Sequence, residues 1–267
     1  MFKLLIACCA LSLWASSASA QSRVDCFAVL KTPGDQLILS DEEACNRATM
    51  PYSTFKVPLA LMAMQAGVVK SIEDEIEWDP KQDPARGWWP DSWRGSQNLR
   101  AALHSSSAPY FRTLARSMGL VPIARALKLF RYGNRQLDPT IFPGRVWVKG
   151  PLAISPVEQL DFLKRVHTRT LHGVDDAHIE QLEAAWVDTA PGLELFAKSG
   201  TGALGDEMVG WYVGYTVHND ETHYFALRLV GPDVKSVTGW HRRSEARRLL
   251  VKHSAWPAEV KLDDLSQ

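Results

Sequence analysis

The sequence predicts an α+β fold: an antiparallel sheet flanked by terminal helices, with an all-helical lobe inserted. Three observations predict it. Strand-like alternation comes first, around residues 27–31 and 36–39. A series of helical patterns fills the middle of the chain. Then "LELFAKSGTG", "MVGWYVGYTVH" and "THYFALRLV" follow one another with hairpin-like spacing, ahead of a last helix over about 244–253.

The first twenty residues stand apart from that fold. Met1-Phe2-Lys3 is a charged start, residues 4–14 are apolar, and Ala18-Ser19-Ala20 is an A-x-A cleavage pattern. Residues 1–20 therefore read as a cleavable secretory signal, too short to span a membrane. The mature chain is expected to begin at Gln21, in the periplasm. Residues 21–267 are then one domain with two lobes. No later segment approaches the roughly 20 apolar residues of a membrane helix.

Cys26 and Cys45 are the cysteines outside the signal, and in an oxidising compartment they are a candidate disulfide. They flank a hairpin, "CFAVLKTPGDQLILSDEEAC", with its turn at Pro33-Gly34. Cys45 lies beyond strict cross-strand register, so the chain must bend after Ser40. Closing such a loop contributes about 3 kcal/mol.

The helical middle begins with residues 54–66, ended by Gly67. A loop rich in Trp, Pro and Gly follows, "DPARGWWPDSWRGSQ". Helices are then expected over 99–103, 109–118, 121–129 and 156–166. Thirty basic residues balance thirty acidic ones, and no basic run is interleaved with aromatics, which argues against a nucleic-acid partner. The pairs Arg242-Arg243 and Arg247-Arg248 are local. The eight histidines form no H-x-H or H-E-x-x-H cluster, so no metal is expected.

The chemistry sits at two places. Ser53-Thr54-Phe55-Lys56 is an S-x-x-K motif at the head of the first helix. Alone it is weak, because about one such match arises by chance in a chain this long. Its physics is sharper. One helical turn puts the serine and lysine on the same face. The apolar run behind them, "VPLALMAM", desolvates the amine and lowers its pKa. A neutral amine beside a hydroxyl acts as its base. Pro58 removes a regular hydrogen bond back to Thr54, so the first turn should be distorted. Ser53 then lies at a helix N-terminus, where free N–H groups favour developing negative charge. The second place is Lys198-Ser199-Gly200, in a strand. A glycine inside a strand often marks close approach by a ligand. A lysine and a hydroxyl beside that gap suit a carboxylate.

Between them come "HSSSAPYF", Tyr132-Gly133-Asn134 and "VWVKGPLAISPVEQLDFLKR", and after them "GWYVGY". This ordered set closely resembles the class D, oxacillinase-type serine β-lactamases, within the serine β-lactamase and penicillin-binding-protein fold. The resemblance covers nearly all of residues 26–253. It implies hydrolysis of β-lactam antibiotics through an acyl-enzyme on Ser53. It also implies that CO2 converts Lys56 to a carbamate that is the general base, steadied by the Trp147 N–H. Ser106 would relay a proton to the leaving nitrogen. The amides of Ser53 and Thr201 would form the oxyanion hole. Lys198, Ser199 and an arginine, Arg243 ahead of Arg242, would hold the substrate carboxylate.

The chain departs from the family at three points. The middle motif is Ser106-Ser107-Ala108, where the family has S-x-V. Val146 and Val148 flank Trp147, where the family more often has Phe and Leu. All three changes are toward smaller side chains around Lys56. Two other readings share the motifs: a penicillin sensor that acylates and stays acylated, and a small D,D-peptidase acting on cell-wall peptides. The Tyr132-Gly133-Asn134 and Trp147 segments argue against the peptidase.

Overall fold

The structure, a computed structural model, describes residues 21–266. The signal expected over residues 1–20 lies outside them. β1 (Arg23–Lys31) and β2 (Gln36–Leu39) pair as a hairpin, with Lys31 opposite Gln36. The chain then bends into α1 (Glu42–Asn46), where the Asp41 carboxylate accepts a 2.7 Å hydrogen bond from the Ala44 amide. That bend carries Cys45 back to Cys26, and the two form a disulfide with Cα atoms 5.2 Å apart.

A 3-10 turn, Tyr52–Phe55, leads into α2 (Lys56–Gln65). The distortion falls where Pro58 has no N–H to give to Thr54. Every residue of α2 from Lys56 to Met64 is buried. A helix apolar all round must be packed on all sides. The rest of the lobe supplies that packing: α3 (Leu99–His104), α4 (Ala108–Met118), α5 (Leu120–Leu129) and α6 (Pro156–His167). Three elements were not expected from the sequence: α1, where only a bend was expected, α7 (Asp176–Trp186) and β3 (Val187–Ala190). The meander is β4 (Leu193–Leu204), β5 (Glu207–His218) and β6 (Glu221–Gly231). The final helix, α8, covers Gly239–Lys252 and so starts earlier than the expected residue 244.

The six strands are antiparallel neighbours in the order β2-β1-β6-β5-β4-β3. Alternation along each strand feeds two cores. Phe27, Val29, Phe225, Leu227 and Leu229 pack beneath α8 with Ala246, Leu249, Leu250 and Trp256. Cys26, Ala28, Trp211, Val213, Tyr215 and Ala226 pack against the helical lobe. Among the described residues no helix is long and apolar enough to cross a membrane.

Glu183 of α7 ties the lobe to the sheet. Its carboxylate pairs with Arg169 at 2.5 Å and accepts from the Tyr215 hydroxyl at 2.6 Å. Burial alone would raise its pKa. His167, 3.6 Å away, and the donors Arg169 and Tyr215 more than offset that and hold the carboxyl at about 2. A depressed carboxyl stabilises the fold above its unfolded value, about 4.3, and loses that contribution as pH falls through the folded value. Glu183→Gln should therefore cost about 1–3 kcal/mol at pH 7. In urea melts, its gap to the wild type should close between pH about 4 and about 2. A gap constant down to the lower limit would contradict this account.

Candidate active site

Ser53 lines a cavity of about 430 Å³ between the helical lobe and β4. One cross-strand row of the sheet seats the segment leading to it. Cys26 of β1 faces Arg228 of β6, Arg228 faces Trp211 of β5, and Trp211 faces Gly200 of β4. Each member holds a successive part of the approach. Cys26 is bonded to Cys45. Arg228 donates to the carbonyls of Ala44 and Arg47, both at 2.7 Å. The Trp211 indole donates to the Met50 carbonyl at 3.0 Å. Gly200 abuts the next residues: a Cβ there would come 2.9 Å from the Pro51 carbonyl oxygen and 3.1 Å from the Ser53 amide nitrogen.

Lys56 and Lys198 are both buried, at 1% and 3% exposure. Both donate to the Ser106 hydroxyl at 3.0 Å, and Lys56 also donates to the Ser106 carbonyl. Ser106 turns from α3 toward α4 with φ +55, a left-handed conformation rare for serine. That conformation presents its carbonyl and hydroxyl to the same ammonium. Burial pushes the Lys56 amine well below the ordinary lysine range, with the cations of Lys198 and Arg112 adding to it. Burial likewise lowers Lys198 to about 7, helped by Arg242. The Ser53 hydroxyl makes no hydrogen bond among the described residues.

Trp147 is buried, stacked on Phe55 with ring centroids 5.9 Å apart, and it lines the cavity with Lys56. Its indole N–H has no hydrogen-bond partner among the described residues. The segment carrying it is tied down by Asn134. The Asn134 amide donates to the Ala153 carbonyl, its side-chain oxygen accepts from the Ala153 amide, and its Nδ2 donates to the Pro151 carbonyl. Gln159 of α6 links the same region to the Ser53 turn by donating to Thr54 Oγ1 at 3.0 Å. Of the three small residues near the lysine, Ala108 and Val148 line the cavity, whereas Val146 is buried in the core.

Ser199, Gly200 and Thr201 form the opposite wall. The arginine that reaches this wall is Arg242, not Arg243. Arg242 is buried and donates to the Gly200 carbonyl at 3.0 Å and to the Thr201 hydroxyl at 2.9 Å. Burial lowers its pKa to about 10, so it remains a cation at neutral pH. Arg242 and Arg243 both line a neighbouring cavity of about 250 Å³, with His104, Asp188 and Tyr212, but of the two it is Arg242 that donates to Gly200 and Thr201. The two adjacent positions reach different partners because α8 is already helical from Gly239. An expectation that placed them just before the helix could not phase them.

The sequence reading missed five charged and aromatic residues that line the Ser53 cavity: Arg86, Trp88, Trp93, Arg112 and Arg145. The signal was the density of tryptophan in a loop that otherwise reads as polar. Trp93 lies between the exposed Trp88 and the interior: its ring centroid is 5.7 Å from that of Trp88 and 5.8 Å from Lys56 Nζ. Its indole N–H donates to the Ser105 carbonyl at 3.0 Å and so braces the turn at Ser106.

The penicillin binding protein transpeptidase domain family matches residues 39–175. The chain is 29% identical over 219 residues to β-lactamase OXA-10 of Pseudomonas aeruginosa, covering 81% of this chain and 80% of that one. It is 30% identical over 189 residues to β-lactamase OXA-48 of Klebsiella pneumoniae, covering 70% and 68%. Among solved structures, the C-terminal domain of the Bacillus licheniformis BlaR penicillin-receptor superposes with a TM-score of 0.79 at 26% identity, covering 89% of this chain and 92% of that one.

The seat of Ser53 also depends on Gly202. Tyr52, at φ +48, packs its ring against that glycine and donates its hydroxyl to the Ala203 carbonyl. A Cβ on Gly202 would fall 1.8 Å from the Tyr52 ring. Gly202→Ala should therefore displace Tyr52 at a cost of about 1–3 kcal/mol. The expected readout is a thermal midpoint lowered by several degrees.

Proposed function

This chain belongs to the class D serine β-lactamases, and on that premise we propose that Ser53 opens the β-lactam ring and is released from the resulting ester by water. The observation that carries this reading is the shared hydroxyl: two buried lysines meet Ser106 in the cavity that Ser53 lines. The Ser53 oxygen attacks the ring carbonyl as its proton passes to the base on Lys56. The ring C–N bond breaks, and the nitrogen takes a proton through Ser106. The amides of Ser53 and Thr201 hold the oxyanion, a role supported by the close approach of β4 to the Ser53 turn at Gly200. Lys198, Ser199 and Arg242 hold the substrate carboxylate, with Arg242 taking the place first expected of Arg243.

Two features fit a carbamate on Lys56. Burial and the neighbouring cations push its amine toward the neutral form, the form that adds to CO2. The unpaired Trp147 N–H in the same cavity is a donor for a carboxylate-like group. Bound in this way, CO2 supplies a general base for acylation and deacylation. The Cys26–Cys45 disulfide supports an oxidising compartment, which agrees with export to the periplasm.

The similarity to a penicillin-receptor domain favours one other reading, a sensor that acylates and stops. Hydrolysis of a chromogenic cephalosporin by the purified protein separates the two. Sustained turnover is expected, and Ser53→Ala should abolish both turnover and covalent labelling by penicillin. A burst equal to the enzyme concentration, with no steady state, would favour the sensor. An acyl adduct on Ser53→Ala would remove Ser53 from its role.

The carbamate has its own readout. With 13C-labelled bicarbonate, NMR should show a carbamate signal that is absent in Lys56→Ala and weakened in Trp147→Phe, which keeps the ring but loses the N–H. A wild type without the signal, and indifferent to bicarbonate removal, would leave Lys56 a plain amine base.

A further inference from the structure

The cavity holds more positive charge than the reaction uses. Besides Lys56, which the reaction uses, Arg86, Arg112 and Arg145 line it, and among the described residues no carboxylate does. Arg112 is neutralised by Asp83, whose two oxygens each accept from its Nη1 at 2.8 Å. Arg86 and Arg145 are different. Both are exposed, and neither side chain makes an ion pair or hydrogen bond among the described residues. Trp88, 64% exposed, lines the same cavity. It is held from behind by the buried Trp93 and Trp89, at centroid distances of 5.7 and 6.3 Å. A large aromatic held this way and left open to solvent offers contact area at low entropic cost.

The substrate's orientation says what this rim would meet. Its ring carbonyl is fixed at Ser53, and its carboxylate lies toward Ser199, Thr201 and Arg242. The substituent on the ring carbon beside the carbonyl must then leave by the remaining side, past Val148 toward Trp88, Arg86 and Arg145. We propose that these three residues form a specificity subsite for β-lactams whose acyl side chain carries both an aryl ring and a second anionic group. The inference rests on the β-lactamase reading above. The aryl ring packs on Trp88, and the anion lies between the two guanidinium groups, which bind carboxylates and sulfonates alike.

Three penicillins that differ at one side-chain position test it. Benzylpenicillin has hydrogen there, carbenicillin a carboxylate and ampicillin an ammonium. The wild type should give a higher kcat/KM for carbenicillin than for ampicillin, with the ratio narrowing as salt is raised. Arg86→Gln with Arg145→Gln should lower that ratio about fivefold, in line with two exposed charge contacts. Arg86→Glu with Arg145→Glu should invert it, which a merely structural role could not do. Trp88→Ala should lower the ratio of benzylpenicillin to 6-aminopenicillanic acid, which has no side chain, about tenfold. If all the penicillins are hydrolysed but the charge-reversed variant keeps the wild-type order, the subsite is wrong and the β-lactamase reading stands. If none is hydrolysed or forms an adduct, both fall.

Discussion

A single row of four side-chain positions across the sheet governs where the reactive serine sits. Cys26, Arg228, Trp211 and Gly200 are cross-strand neighbours on β1, β6, β5 and β4. Arg228 is completely buried, and a lone buried cation costs several kcal/mol in desolvation. Here the cost is offset by the Asp25 carboxylate at 2.6 Å, by two backbone carbonyls and by the Trp211 ring 5.2 Å away. Those carbonyls belong to Ala44 and Arg47, beside the disulfide-bonded Cys45. The guanidinium therefore needs the approach segment in place to be satisfied, and the segment needs the guanidinium to be fixed. The row ends at Gly200, where the missing side chain lets β4 run alongside the Ser53 turn.

The second constraint is the pair of buried lysines. Two ammonium groups bonded to one hydroxyl repel each other in a medium of low polarity. Burial alone already disfavours both charges. The cheaper arrangement leaves one amine neutral, and burial together with the cations of Lys198 and Arg112 favours the neutral form of Lys56. The fold thus forms a base by geometry, at a cost in stability. The left-handed Ser106 is part of the same cost, since a non-glycine residue in that region stores strain that its surroundings must hold. Trp93 and Gln97 hold that turn by donating to Ser105.

What the sequence showed and what it hid divide along physical lines. The Ser53–Lys56 spacing is local, because one helical turn sets it, and the buried lysine follows from the apolar run after it. The hairpin, the bend after Ser40 and the three-strand meander were legible from alternation and turn residues. α7 was not foreseen, although Ile179, Leu182, Ala185 and Trp186 make a buried stripe at helical spacing. Its many charged residues and the lack of a side-chain cap at Asp175 masked the pattern. The phase of Arg242 against Arg243 was illegible for a sharper reason. "SVTGWHRRSE" carries no apolar period, so nothing local fixes where α8 begins. The cavity mouth was hidden too, because Arg86, Trp88 and Arg145 come together only through tertiary packing.

The same packing bears on why this chain should turn over where a receptor of similar fold would stall. Acylation and release make different demands on one cavity. In the proposed reaction, attack by Ser53 draws on the lysines and the turn at Ser106. Release needs a water molecule at the ester carbonyl within reach of the base. A water needs only about 10–15 Å³ of accessible space, together with polar partners. Ala108 and Val148 both line the cavity beside Lys56, each smaller than its usual counterpart in the family, while Val146 is turned into the core. The two smaller residues that line the cavity leave more room in it, and the third does not. Ser106 and Trp147 line the same space with polar atoms, so the room is wettable rather than dry. Space and partners together admit water, which serves release of the acyl group and equally exposes any carbamate on Lys56 to it.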